Sequence, residues 1–408
     1  MTEPAETSFT RLAFAASLGA FVLIGALDAV YGPLLHPISH RFGVPLALAG
    51  TVISINFAGA LLGVLSALAA FGRAPGRPVA TFAQAAVGAG CLTIAVSRGW
   101  PVLATGVFVA GIGFGATDLS LNQLMARTRA RGRAARLAIL NAAFGAGAVL
   151  APVFVDVLGG RTLVLGFAIA AVIACAMAAC LAGISTGAGG AGAGARADAA
   201  DAAGAAVMLP EQQDRDQAGV RRHAGVAVAA LGYLLYVGCE SGTAGWIPAH
   251  LEALHYSPKF AAAVTSGFWG AMTVGRIVAV PASRTLAARH MVLASCPLLT
   301  IALALTAVPA IAPAGYVVAG FAAAPIFPIG LDWIAAAFPR GQPATSWALT
   351  GSFAGGIVGP AVVSAAVSLA GVHAVPAVLS SLAGATTLTF FALGKKVIRP
   401  RAHEQIRR

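Results

Sequence analysis

Apolar residues run along this chain in long unbroken blocks, not at the every-third-or-fourth spacing of a helix with one wet face. Each block reaches the roughly 20 residues that a helix needs to cross a bilayer. Twelve spanning helices are expected. Six lie near 12–35, 46–70, 77–97, 101–125, 137–158 and 162–183, and six near 224–250, 260–282, 289–308, 314–338, 344–369 and 373–395. The longest polar break, 184–222, carries STGAGGAGAGARADAADAAGAA and then EQQDRDQAGVRRH, a composition that builds no core. The pattern therefore predicts an all-α polytopic membrane protein of two six-helix bundles. Residues 1–183 form the first bundle, 184–222 a flexible cytoplasmic linker, 223–397 the second bundle and 398–408 a basic tail. The first block is longer than the apolar core of a signal peptide and follows Glu3 and Glu6, so it is expected as a retained helix.

Composition strengthens this reading. The chain is 58% hydrophobic and 10% charged, against roughly 25% charged in soluble domains; so few charges cannot cover a wet surface. Charge position then orients the helices. With the N-terminus in the cytoplasm, 21 of the 26 basic residues fall on the cytoplasmic side, including Arg73, Arg77, the Arg127–Arg136 cluster, Arg289, Arg340 and the tail. Only Arg41, Arg98, Arg161 and Lys259 fall opposite, and Arg276 lies within a block. Basic loops stay inside, so both termini are expected in the cytoplasm, and an inner (cell) membrane location follows. The net charge of +12 is mostly this topology signal. Its scatter over short loops argues against nucleic-acid binding. The five cysteines sit inside apolar blocks without metal-ligand spacing, and are read as small core residues. No phosphate loop, catalytic triad or metal motif is visible, so neither an enzyme nor a cofactor is expected.

The two halves resemble each other. TVISINFAGALLG (51–63) matches AVTSGFWGAMTVG (263–275) at an offset of 212, which also places Arg77 on Arg289 and Asp28 on Glu240. NAAFGAGAVLAP (141–152) resembles TGSFAGGIVGP (350–360). Parallel pseudo-symmetric halves of this kind are one way in which secondary transporters are built. On those halves, and on GALDAVYGPLL, GFGATDLSLNQLMA, ILNAAFGAGAVLAP, YVGCESGTAGWIPAHL, SGFWGAMTVGRIV and APIFP, the chain resembles the major facilitator transporters. Within them it is similar to the fucose-permease-like sugar/proton symporters. The resemblance implies the major facilitator fold and proton-coupled uptake of a sugar or similar small polar solute by alternating access, in a monomer. A proton-antiport exporter of a drug or metabolite is the alternative. One departure stands out: the FGRAPGRP loop keeps Arg73, Gly76 and Arg77 but lacks the acidic residue usual there, as does ASRTLAARH in the second half.

Charges inside a membrane cost about 2.5–3.5 kcal/mol each on insertion scales, so each needs a reason. Five acids fall inside the blocks: Asp28, Asp118, Asp156, Glu240 and Asp332. Asp156 is near a block end, within reach of water. A buried carboxylate can bind solute hydroxyls when ionised and carry a proton when neutral. Asp28, Asp118 and Glu240 are therefore the candidate proton-coupling residues, against the plainer reading of helix–helix hydrogen bonds. Asp28, Asn122, Asn141, Glu240 and Trp246 are the candidate solute-binding residues. Asn122 lies one turn after Asp118, Asn141 matches a substrate-binding asparagine of the resembling family, and Trp246 offers a flat ring for a sugar. Arg276 and Asp332 are expected as a structural or gating ion pair. His36, His40, His250 and His255 are expected as solvated or capping groups near the outer ends.

Overall fold

The computed structural model describes residues 7–71, 76–126, 133–181, 184–186, 217–338 and 344–397. The first half contains α1 (Arg11–Val30), the short α2 (Leu35–Phe42), α3 (Leu46–Phe71), α4 (Gly76–Ala95), α5 (Trp100–Ala126), α6 (Arg133–Leu158) and α7 (Phe167–Leu181). The second contains α8 (Gln217–Ala253), α9 (Pro258–Ala282), α10 (Ala288–Leu305), α11 (Ala312–Ala323), α12 (Ile326–Ala337), α13 (Ala344–Ala370) and α14 (Val375–Val397). Local chemistry sets several ends. The Thr10 hydroxyl caps α1 by accepting from the Ala13 N–H at 3.1 Å, and Ser257 caps α9 ahead of Pro258. The first apolar block breaks at Gly32-Pro33, and α2 ends on Gly43 in the left-handed region, φ 63°. The tenth block breaks at Ala324-Pro325, where proline supplies no N–H.

Among the described residues, eleven helical stretches are long and apolar enough to cross a membrane. One of them, Arg136–Leu181, is 46 residues long and is interrupted by a 3₁₀ turn at Gly159–Arg161 and a π turn at Thr162–Gly166. It makes two crossings, so the described residues cross twelve times. Leu369, Phe82 and Leu388 point outward and are largely exposed, as a lipid-facing surface requires. The protein is a multi-pass membrane protein.

The repeat reappears in the elements. Leu46 and Pro258, Gly76 and Ala288, and Trp100 and Ala312 begin matching helices 212 residues apart. Within the first bundle α1 packs on α6, α3 on α5 and α4 on α5 and α7; in the second α8 packs on α13, α9 on α11 and α10 on α14. The bundles meet along α3 with α13 and along α6 with α9. These two seams exchange under the repeat, so the interface itself has the pseudo-two-fold symmetry.

The expected linker over 184–222 is structured at both ends. Ile184–Thr186 pairs antiparallel with Thr7–Phe9. An even number of crossings returns the chain to the side where it started, and two extended segments there satisfy each other's backbone. At the other end α8 begins at Gln217 and runs 37 residues, about 55 Å, well beyond the bilayer core. Residues 187–216 and the tail 398–408 lie outside the described residues, as do Arg73, the Arg127–Arg131 part of the basic cluster and Arg340. Of the cysteines, Cys91, Cys239 and Cys296 are buried, whereas Cys175 is exposed and Cys180 half-buried; both of the last two sit on α7, and Cys180 packs against the core.

Candidate functional site

A cavity of about 1300 Å³ lies between the bundles. Its walls come from α1, α3, α5 and α6 and from their repeat mates α8, α9, α12 and α13, with the first turn of α10 at the mouth. Asp28, Asp118, Asn122, Asn141, Glu240, Arg276 and Asp332 all line it. The one-dimensional pattern thus picked residues from six different helices that share one space. Asp156 stands apart, exposed on α6 and outside the cavity lining.

Asp28 projects from the last turns of α1 and is half-buried. On α5 the Asn122 amide donates to Asp118 Oδ1 and to the Asp118 carbonyl, both at 3.0 Å, so the one-turn spacing produces a fixed carboxylate–amide unit. Asn141 Nδ2 is turned back onto the Leu137 carbonyl at 2.8 Å. Glu240 faces Arg276 across α8 and α9, with Nη2 to Oε1 3.7 Å. Arg276 Nη2 also lies 3.3 Å from Met272 Sδ.

Two expectations are corrected. The carboxylate paired with Arg276 is Glu240, not Asp332. Glu240 is the more deeply placed acid, and a guanidinium relieves its burial most, whereas Asp332 is exposed near the mouth and solvated. Trp246 does not line the cavity. It is fully buried: six residues after Glu240, it points about 120° away from Glu240 around the helix axis. Its indole packs on Gly50 of α3, with Ser364 of α13 beside the same point.

That packing closes one end. A side-chain carbon on Gly32 would sit 2.8 Å from the Ala244 carbonyl oxygen, and Ile53 lies directly against Gly245. Beyond them His36 of α2 pairs with Glu252 of α8, Nδ1 to Oε2 2.9 Å, and His250 bonds to the Tyr316 hydroxyl at 2.8 Å. These two histidines have specific partners and are not merely solvated end groups. At the other end Ser283, Ala287 and Arg289, in and beside the α9–α10 connection, line the cavity. That connection is on the same side as the start of α1 and the end of α14, so the cavity opens there and is sealed opposite.

Sequence reasoning missed the aromatic wall of Phe57, Phe114, Phe144, Trp269, Phe327 and Phe353. A signal existed: Phe57 and Trp269 are repeat mates at the offset of 212, and both face the cavity. It also missed Arg289 as a mouth residue, having placed it only among the cytoplasmic basic residues. The His36–Glu252 contact left no mark in the sequence.

No protein-family profile and no curated protein matches this chain. Solved structures do. The nucleoside transporter NupG superposes with a TM-score of 0.73 at 13% identity, over 95% of this chain and 100% of that one. A POT family transporter in complex with a thioalcohol-conjugated peptide gives 0.74 at 12%, over 95% and 96%. The D-xylose–proton symporter gives 0.68 at 15%, over 94% and 98%. These neighbours are membrane transporters, and none is an enzyme. The chain has their fold, twelve transmembrane helices in two pseudo-symmetric six-helix bundles: the major facilitator fold.

Proposed function

We propose that this chain is a secondary active transporter that couples a proton to the movement of a small organic solute. The observation that carries the reading is the convergence of Asp28, Asp118 and Glu240, from both bundles, on a cavity open at one end only. A carboxylate is worth its cost in a membrane if it changes protonation during a cycle. The two seams between the bundles give the surfaces on which they rock, exposing the cavity to each side in turn. The termini lie in the cytoplasm of an inner-membrane monomer in this reading, which follows from the basic loops.

Uptake of a sugar is supported by the family resemblance and by the D-xylose–proton symporter among the fold neighbours. Export by proton antiport is supported by a different observation, the aromatic wall, which offers apolar contact in place of hydroxyl partners. Both readings use Asp28 and Asp118 as proton carriers. Asp28→Asn and Asp118→Asn, reconstituted in proteoliposomes, should each cut solute movement driven by a pH gradient about tenfold or more. Retention of the full pH-driven signal by both variants would sink the proton-coupling role. The solute panel of sugars, organic acids and organic cations is first ranked by thermal shift, since a ligand stabilises the state it binds.

A further inference from the structure

The cavity holds more negative than positive side chains. Asp28, Asp118, Glu240 and Asp332 face Arg276 and Arg289, from α1, α5, α8, α12, α9 and α10 respectively. Asp332 and Arg289 stand towards the mouth. Deeper in, three carboxylates share one guanidinium, and that guanidinium is paired with Glu240. Among the described residues, neither Asp28 nor Asp118 forms an ion pair with a basic side chain. Unpaired buried charge is costly, so something mobile must offset it in each state of the cycle.

The remaining polar lining says what that something is. The hydroxyl protons are already used within their own helices. Ser241 donates to the Val237 carbonyl at 2.7 Å, Thr273 to Trp269 at 2.9 Å and Ser352 to Ala348 at 3.0 Å. The Asn122 and Asn141 amides each donate locally as well. Apart from the Arg276 and Arg289 guanidiniums, the Trp269 indole and the second N–H of Asn141, the lining is thus rich in acceptors and poor in uncommitted donors. A polyhydroxylated solute needs both, whereas a cation needs only acceptors and negative charge. Phe57, Phe114, Phe144, Trp269, Phe327 and Phe353 add aromatic faces, which attract cations as well as apolar bodies.

We infer that the solute is a lipophilic organic monocation, held by Asp28 and Asp118 and by the aromatic wall, and that it competes with protons for those carboxylates. The transport consequence rests on the function proposed above, since competition for one pair of acids makes solute and proton exchange, giving antiport. The binding claim stands without it.

Titration of the purified full chain with tetraphenylphosphonium tests the inference. At pH 8 the cation should bind at least about tenfold more tightly than triphenylphosphine oxide, a neutral molecule with a similar apolar body. Protonation should compete, so affinity should fall about tenfold between pH 8 and pH 6. Calorimetry in buffers of different ionisation enthalpy should show about one proton released per cation bound. Asp28→Asn and Asp118→Asn should weaken the cation about tenfold and leave the neutral molecule unchanged. If a variant does not purify folded, the comparison of charged and neutral probes on the unaltered protein decides. Equal binding of the two probes, affinity that ignores pH, or tighter binding of D-xylose or L-fucose than of the cation overturns the inference. Cation binding as described, with no pH-driven movement of any solute in proteoliposomes, overturns the transport reading instead and leaves the binding site standing.

Discussion

Replacing Gly147 with valine should leave almost no folded protein after detergent extraction. Gly147 lies on α6 where it crosses α1, and a side-chain carbon there would run into the Val22 carbonyl. Gly25 meets the Phe144 carbonyl from the opposite side of the same crossing. The second bundle repeats the arrangement, with Gly351 and Gly355 against the backbone of α8 at Ala230 and Leu234. Lipid supplies no hydrophobic drive between helices, so such close backbone contact carries much of the packing. The obstacle at Gly147 is main chain, which cannot rotate aside as a long side chain does. Overpacking costs about 1–3 kcal/mol where side chains can yield; here about 3 kcal/mol or more is expected for the first carbon alone, with valine's branches adding to it. Size-exclusion chromatography and thermal unfolding measure it. Gly160→Ala is the control, because nothing lies within 4 Å of the position where its side chain would be. A Gly147→Val protein that elutes and melts like the unaltered chain would show that the crossing is looser than described.

Much of this architecture was visible in one dimension, for a physical reason. A bilayer demands continuous apolar length, so each crossing announces itself as a block, and an acid inside a block is an anomaly that needs no structure to notice. That is how Asp28, Asp118 and Glu240 were found. The offset of 212 was legible because the starts of α3, α4 and α5 are spaced along the chain as the starts of α9, α10 and α11 are. What stayed hidden depends on rotation about a helix axis or on contacts across the chain. Trp246 looked like a site residue because it follows Glu240 closely, yet its angle on α8 sends it into the seal. Arg276 was assigned to Asp332 from position along the chain, and its pairing with Glu240 emerged only once α8 and α9 were placed. The pairing of Thr7–Phe9 with Ile184–Thr186, and of His36 with Glu252, joins residues far apart in a sequence with no local marker for either.

The seal that contains Trp246 yields the second large expectation, in which Gly50→Phe holds the chain in a state open on the side opposite the termini. Gly50 is where α3 meets α8 and α13, and any side chain there collides with the Trp246 ring, while the Ser364 hydroxyl lies 2.7 Å from the same point. Those contacts exist only while the bundles are closed on that side. The substitution therefore penalises one state and spares the other, unlike Gly147→Val, which breaks a contact inside one bundle that no rocking motion relieves. A differential cost of about 3 kcal/mol moves a two-state ratio by more than about 100-fold. The protein should fold and elute normally, yet transport should drop by about that factor, because a cycle needs both states. Ala249 reports on the change: it is 1% exposed, and lies one turn beyond Trp246 on the same face of α8. With Cys175 and Cys180 replaced, Ala249→Cys should react slowly with a membrane-impermeant maleimide in the otherwise unaltered chain. Adding Gly50→Phe should speed that reaction about 100-fold, by the same population shift. If labelling stays slow and transport stays intact, α3, α8 and α13 do not part at this point, and the path to that side runs elsewhere than past Gly50 and Trp246.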